Sequence, residues 1–294
     1  KEAFRSVQGW KESLVGLMGH TPLREEIFAY YNRGQEAGRL SRGIGPLELA
    51  RMQELITRYF PPPPAMVLDV GGGPGVYSCW LARLGYRANL VDATPLHVYQ
   101  AREAAAKQPG HPVASIELGD ARRLDFTAEC AQAVLLHGPL YHLLDKADRL
   151  AALREARRVL RPGGVLLAVG VPRYASTHIG LVRGWIDDPD YRQMVERELA
   201  TGLHLQPPRW PQCFTTSYFH HPDELRAEVE EVGLACEAML AVEGAGWLVP
   251  DFEACWQDPQ RRENLLSIVR LMESEPVAVG MSAHFVAVAR KGCR

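Results

Sequence analysis

The chain has 294 residues, 47% of them hydrophobic and 23% charged, with a formal net charge of −2. That length suits one large domain, or one domain with a cap, and the near-neutral charge weighs against a nucleic-acid substrate. No apolar run approaches the roughly 20 residues of a membrane span, no signal peptide is visible at Lys1, and the six scattered cysteines (Cys79, Cys130, Cys213, Cys236, Cys255, Cys293) lack C-x-x-C spacing, which points to reduced cytoplasmic thiols and no zinc site.

Residues 1 to about 60 are expected to be helical and amphipathic. Leu14, Leu17 and Met18 recur at helical spacing, as do Leu47, Leu49, Met52, Leu55 and Ile56. Between them, residues 30–43 are too glycine-rich for a packed helix and too aromatic and charged for a plain linker. They read either as a surface loop with a solvated charge run or as a lid. Pro61 to Pro64 form a stiff extended spacer at the entry to a core spanning 61–294.

Met66 to Val70 is a short apolar run rich in branched residues, the pattern of a buried parallel strand. Gly71, Gly72, Gly73 and Gly75 follow and open a helix running to about Leu84, whose first N–H groups are free to face a ligand. The dinucleotide fingerprint needs a third glycine where Val76 stands, and the phosphate loop needs a Lys-Ser or Lys-Thr that is missing. The pattern present, D-x-G-G-G-P-G from Asp69, resembles the first motif of class I S-adenosylmethionine (SAM) dependent methyltransferases. In that family the loop faces an amino-acid sulfonium and a ribose. The resemblance implies that Asp69, Gly71, Gly72 and Gly73 bind the cofactor. It also gives residues 30–43 a purpose: Tyr31, Arg39 and Arg42 would close over the SAM pocket, an arginine fork matching the methionine carboxylate.

The next strand, Ala88 to Asp92, ends in an acid placed to accept hydrogen bonds from ribose hydroxyls, beside Ala93; a helix N-cap is the other role open to Asp92. A third strand ends in Gly119-Asp120-Ala121. The resemblance implies that Asp120 meets the adenine amino group and the neighbouring backbone, at Ala121, a ring nitrogen; a cap or turn aspartate is the alternative. The fourth strand, Ala131 to Leu136, delivers His137, Tyr141 and His142 to the carboxyl edge, where open α/β sheets bind ligands. His137 is therefore expected beside the sulfonium. The Asn/Asp-Pro-Pro-Tyr motif of enzymes acting on base or glutamine amino groups is missing there. A helix from Asp148 to Leu160 should present Arg154, Arg157 and Arg158, with Arg161 beyond, to solvent. Arg161-Pro162-Gly163-Gly164 then turns into a fifth strand from Val165 to Val171. This unit is similar to small-molecule members of the family, including the ubiquinone-biosynthesis type, and the resemblance covers about residues 67–171.

Residues 173–220 break the core pattern and are expected to form a cap with two short helices and a strand from Phe214 to Phe219. A helix from His221 and a strand from Leu234 to Val242 follow. Glu243 and Trp247 are placed on a turn facing the pocket, ahead of a helix from Glu263 and a last strand from Ala283 to Arg290. The expectation is an α/β fold: a Rossmann-like doubly wound seven-stranded sheet of order 3-2-1-4-5-7-6, strand 7 antiparallel, with a helical N-terminal lid (1–60) and the cap. The function implied is in-line methyl transfer from SAM to a small-molecule acceptor at O, N or C, leaving S-adenosylhomocysteine. A base is needed only if the acceptor loses a proton. His137, Tyr141 and His142 are the catalytic candidates, with His220 and His221 behind them, and no metal is expected. Two rivals stand. One is an NAD- or FAD-dependent oxidoreductase, against which the missing glycine and Gly119-Asp120 count; the other is a non-catalytic SAM-binding protein. Monomer and homodimer are both open.

Overall fold

The computed structural model describes residues 25–34, 36–210 and 213–293. The helix expected around Leu14, Leu17 and Met18 lies outside them, as does Pro211.

Seven strands form one sheet in the order β3-β2-β1-β4-β5-β9-β8. They are β1 (Met66–Val70), β2 (Arg87–Asp92), β3 (Ser115–Leu118), β4 (Ala131–Leu136), β5 (Leu160–Gly170), β8 (Leu234–Ala241) and β9 (Phe285–Lys291). The first five run parallel, and β9 is antiparallel to both β5 and β8. This is the expected seven-strand order once the two-residue cap strands β6 (Leu203–His204) and β7 (Ser217–Tyr218) are set aside.

The period-2 alternation of each strand divides the core between two helical layers. Leu68 and Val70 of β1 face Leu150, Leu153 and Ala156 of α6 (Lys146–Val159), together with Leu225 and Val229 of α9 (Pro222–Glu231). Val67 points the other way, toward Met52, Leu55 and Ile56 of α2 (Gly45–Tyr59) and Leu81 of α3 (Val76–Arg83). Met52, Leu55 and Ile56 are completely buried, so α2 is a permanent member of the core layer. Within the described part of the N-terminal segment, only α1 (Glu25–Tyr31) and the stretch to Ser41 lie over the sheet's edge as a lid would.

The Arg161–Gly164 turn differs from expectation in its pairing. Leu160 is already opposite Ala131, the four-residue turn then bulges out, and pairing resumes at Val165 opposite Ala133. Arg158 is also not simply solvated: it holds the carbonyls of Leu124 and Phe126 and the carboxylate of Glu155.

Residues 173–220, expected to form a cap, contain α7 (Ala175–Arg183), α8 (Pro189–Thr201) and the β6–β7 pair. The strand expected over six residues shrinks to Ser217–Tyr218, because β6 offers only two partners. A small core of Tyr191, Met194, Val195 and Cys213 packs against Trp185, Trp210 and Phe214. Arg173 ties the cap to the sheet layer, donating to the carbonyl of Phe219 (2.7 Å) and to Glu224 (2.6 Å). Between β8 and β9 the chain forms α10 (Phe252–Gln257), α11 (Pro259–Met272) and α12 (Pro276–Met281), of which only α11 was foreseen. The remaining helices are α4 (Pro95–Ala106) and the single turn α5 (Pro139–His142).

Candidate functional site

The glycine loop leaves β1 at the carboxyl edge of the sheet, and its backbone is confined by contacts that only glycine permits. A Cβ on Gly71 would lie 2.4 Å from the carbonyl oxygen of His137, and one on Gly72 would strike Leu90 and the carboxylate of Asp69. The loop is therefore a tight cradle whose next residue, Gly73, donates its N–H to Asp92 Oδ2 (2.9 Å).

A cavity of about 490 Å3 opens above this cradle. Its floor is Val70 to Pro74, Asp92, Ala93 and Gly119 to Arg122; its far end is Val171 and the cap residues Cys213, Phe214, Thr215 and Ser217. Tyr30, Tyr31 and Gly38 to Ser41 cover it, while His137, Tyr141, His142 and His284 line its middle. That volume is in the usual range for a small-molecule site.

Of the sequence-predicted residues, Gly71, Gly72, Gly73, Asp92, Ala93, Asp120, Ala121, His137, Tyr31, Arg39, Tyr141 and His142 all line the cavity. Asp69 does not. It is wholly buried beneath the loop, where Oδ2 accepts the Ser78 hydroxyl (2.6 Å) and burial pushes its pKa up to about 6. Its place follows from period 2, which turns it, like Val67, to the face of β1 covered by α3, where Ser78 lies. Arg42 is also outside: it is exposed and folds back on the carbonyls of Gly38 and Ala37. Arg39 lines the cavity without a vacant fork. Its two terminal nitrogens donate to Glu48 (2.5 and 2.8 Å) and its Nε to Glu36 (2.7 Å).

Asp92 accepts the Thr94 N–H (2.8 Å) and lies 3.1 Å from His97 Nδ1, but Thr94, not Asp92, is the N-cap of α4. Asp120 is gripped by Arg122, which also reaches Asp148 (2.8 Å). Any amino group meeting Asp120 must share it with that guanidinium.

His142 Nε2 is 2.6 Å from the Tyr31 hydroxyl and its Nδ1 is 3.4 Å from the Thr216 carbonyl. The carbonyl can only accept, which assigns the proton to Nδ1 and makes Nε2 the acceptor from Tyr31. Burial lowers the pKa of His142 to about 4 and that of His137 to about 3. His137 Nε2 has no hydrogen-bond partner among the described residues.

Glu243, Trp247, His220 and His221 do not line the cavity. Trp247 donates to the carbonyl of Met281, and His220 is buried against Glu228, which also takes Arg149. His221 is the N-cap of α9, its N–H held by Glu224. Glu243 lies wholly buried behind the wall.

Two groups escaped the sequence reading. Glu48, buried on α2, is held at about 2: burial opposes its charge, but His284 and Arg39 outweigh burial. His284, just before β9, has its pKa raised: burial again opposes the charge, but Glu48 and Glu243 prevail. Glu48 is hidden in sequence between two leucines of an amphipathic pattern, and His284 is a lone histidine before a strand. Ligand-type atoms of Glu48, His137 and His284 lie within 4.8 Å of one another. Arg39 already neutralises both oxygens of that carboxylate, so the cluster is balanced as a buried charge network.

Comparison with known proteins agrees with this geometry. Residues 67–164 match the family model described as a methyltransferase domain. A ubiquinone biosynthesis O-methyltransferase of Methylobacterium sp. (strain 4-46) is 29% identical over 222 residues, covering 68% of this chain and 75% of that protein. One from Methylocella silvestris is 28% identical over 185 residues, covering 54% and 69%. Among solved structures, a SAM-dependent methyltransferase from Methanosarcina mazei superposes with a TM-score of 0.56 at 18% identity, over 82% of this chain and 98% of that one. Another from Aquifex aeolicus gives 0.51 at 14%, over 90% and 97%.

A doubly wound sheet with its last strand reversed, a glycine cradle at its switch point and this family match together define a SAM-dependent enzyme. Residues 67–164 carry a methyltransferase domain, and the chain is similar to ubiquinone biosynthesis O-methyltransferases.

Proposed function

We propose that the chain transfers the methyl group of SAM to an oxygen of a small, largely apolar acceptor. The observation that carries this reading is the continuity of the cavity: one space runs from the glycine cradle and Asp92, past His137, to Val171 and the cap. The residues present suit the donor. The Gly71–Gly73 backbone would cradle its amino-acid end, Asp92 its ribose and the Gly119–Ala121 edge its adenine, with His137 beside the sulfonium and Tyr31 above. When bound, SAM supplies an activated methyl group on a sulfonium that leaves as a neutral thioether. The protein's part is to align the acceptor in line with that group and to exclude water. Arg39 serves by bracing the lid segment through Glu36 and Glu48.

The far end of the cavity selects the acceptor, and residues 173–220 are read as a cap that shapes it. Phe214 and Val171 favour an apolar body, while Thr215, Ser217 and Tyr141 offer a few polar anchors. The two O-methyltransferase relatives support oxygen as the acceptor atom. No helix among the described residues is long and apolar enough to cross a membrane, and six free cysteines fit a reducing cytoplasm. With a net charge of −2, nucleic acid is not the expected partner.

The test is to incubate the chain with SAM and a panel of phenols, alcohols and amines, following S-adenosylhomocysteine release and methylated product by mass spectrometry. The expected result is methylation of hydroxyl acceptors. Transfer confined to amines or carbon acids would contradict it.

A further inference from the structure

We propose that Glu243 and His284 form a carboxylate–imidazole dyad, with His284 Nε2 the atom that takes the acceptor's proton during methyl transfer. The proposal rests on the oxygen-acceptor reading above and deepens it by naming the general base.

The dyad is fixed from every side. β9 runs antiparallel to β5, so the residue that precedes it lies at the carboxyl edge, next to Val171 on the cavity wall. β8 ends at the same edge and delivers Glu243 behind it. Glu243 Oε1 is 2.9 Å from His284 Nδ1; Oε2 accepts the His284 N–H (2.8 Å) and the Ser282 hydroxyl (2.9 Å). That hydroxyl oxygen in turn accepts the N–H groups of Glu243 and Gly244, each at 2.9 Å. A carboxylate so held cannot turn away, and it assigns the Nδ1 proton of the neutral imidazole. The lone pair is left on Nε2, on the other side of the ring. The imidazole lines the cavity, with ring centroids 5.8 Å from His137 and 6.4 Å from Tyr141. This is the site where a proton-accepting nitrogen meets an acceptor oxygen beside the sulfonium.

The other histidines of the cavity serve less well. Nε2 of His142 already accepts from Tyr31, and burial keeps both His142 and His137 weak bases. His284 is faced at Nδ1 by Glu243 and, 3.7 Å away, by Glu48 of α2 with its partner Arg39, and by His137 and Tyr141 across the cavity. Two carboxylates against one guanidinium favour the imidazolium that proton transfer creates. In the step itself, an oxygen electron pair of the acceptor forms the bond to the methyl carbon as the carbon–sulfur bond breaks. Sulfur keeps the electrons of the broken carbon–sulfur bond, the hydroxyl proton passes to His284 Nε2, and that proton leaves to water on product release.

The test combines nitrogen-15 histidine NMR of the full chain, with S-adenosylhomocysteine present, and kinetics. His284, assigned by the signal lost in His284→Gln, should titrate with a midpoint above the ordinary 6.5 and carry the neutral-form proton on Nδ1. Glu243→Gln should lower that midpoint by about one unit. With a hydroxyl acceptor from the panel, His284→Gln should lower kcat roughly 100- to 10,000-fold while affinity for S-adenosylhomocysteine is unchanged. A neutral form protonated on Nε2, or a midpoint that Glu243→Gln does not move, would overturn the dyad. If no hydroxyl is methylated the oxygen-acceptor reading fails, while the titration still decides the dyad.

Discussion

Asp92 carries more of the site than any other single side chain. One carboxylate holds the Gly73 N–H and the Thr94 N–H and stands 3.1 Å from His97, while facing the cavity. It therefore sets the shape of the cradle and, in the proposed donor site, would also accept from a ribose. Asp92→Ala should weaken binding of S-adenosylhomocysteine by about 1–3 kcal/mol, the range for hydrogen bonds left unmade. Calorimetry on the folded variant would show this, and an unchanged Kd would remove Asp92 from the donor site. Methyl transfer should also depend on pH through His284. A base must be unprotonated to act, so kcat should fall as pH drops below that residue's raised pKa and level off above it. A kcat that is flat from pH 6 to 9 would contradict this.

At the scale of elements, the stretch after α1 is fastened to α2 by Arg39. Its fork fills both oxygens of Glu48, so the cover of the cavity is locked to a helix that belongs to the core. Glu48→Gln should remove the charge and one of the two acceptors that hold that fork, leaving Arg39 a single amide oxygen there besides Glu36. The expected cost is roughly 1.5–3 kcal/mol, the value of hydrogen bonds to charged groups, read from denaturant unfolding. Faster amide exchange around Gly38 to Ser41 should accompany it, and unchanged exchange there would show that the cover is held by other contacts. The first three strands were legible in the sequence because each is a short apolar run that ends in an acid or before a glycine. The side-chain partners were not. Asp69 reads like a ligand-facing acid until its position on the α3-covered face of β1 is known, and Arg39 reads as a free cation until α2 brings Glu48 to it. Glu243 and His284 are far apart in the chain, and the antiparallel pairing of β9 with β5 and β8 brings them together at the carboxyl edge, where only His284 reaches the cavity.

For the whole molecule, the buried titratable groups set the acid limit of stability. His137 and His142 titrate near 3 and 4 in the fold, and His220 is also lowered, against 6.5 for a free imidazole. The unfolded chain thus binds more protons below pH 6.5, and the fold loses stability as pH falls from there toward 4. Asp69, raised to about 6, works in the opposite direction between 6 and 3.8 but is one group against three. Glu48 and Glu228, held near 2, add a second loss below pH 4.5. Tm should therefore drop steadily on acidification from pH 6.5. A Tm constant down to pH 4.5 would show that these histidines are not buried neutral in solution.

In the proposed function one cavity seats donor and acceptor side by side, between the glycine cradle and residues 213–217. A crystal structure of the chain with S-adenosylhomocysteine tests it most directly. The account predicts the ribose hydroxyls on Asp92, adenine at Gly119 to Ala121, and the sulfur beside His137, with open space between sulfur, Tyr141 and His284. A sulfur pointing away from His284, or a ribose that does not meet Asp92, would contradict it.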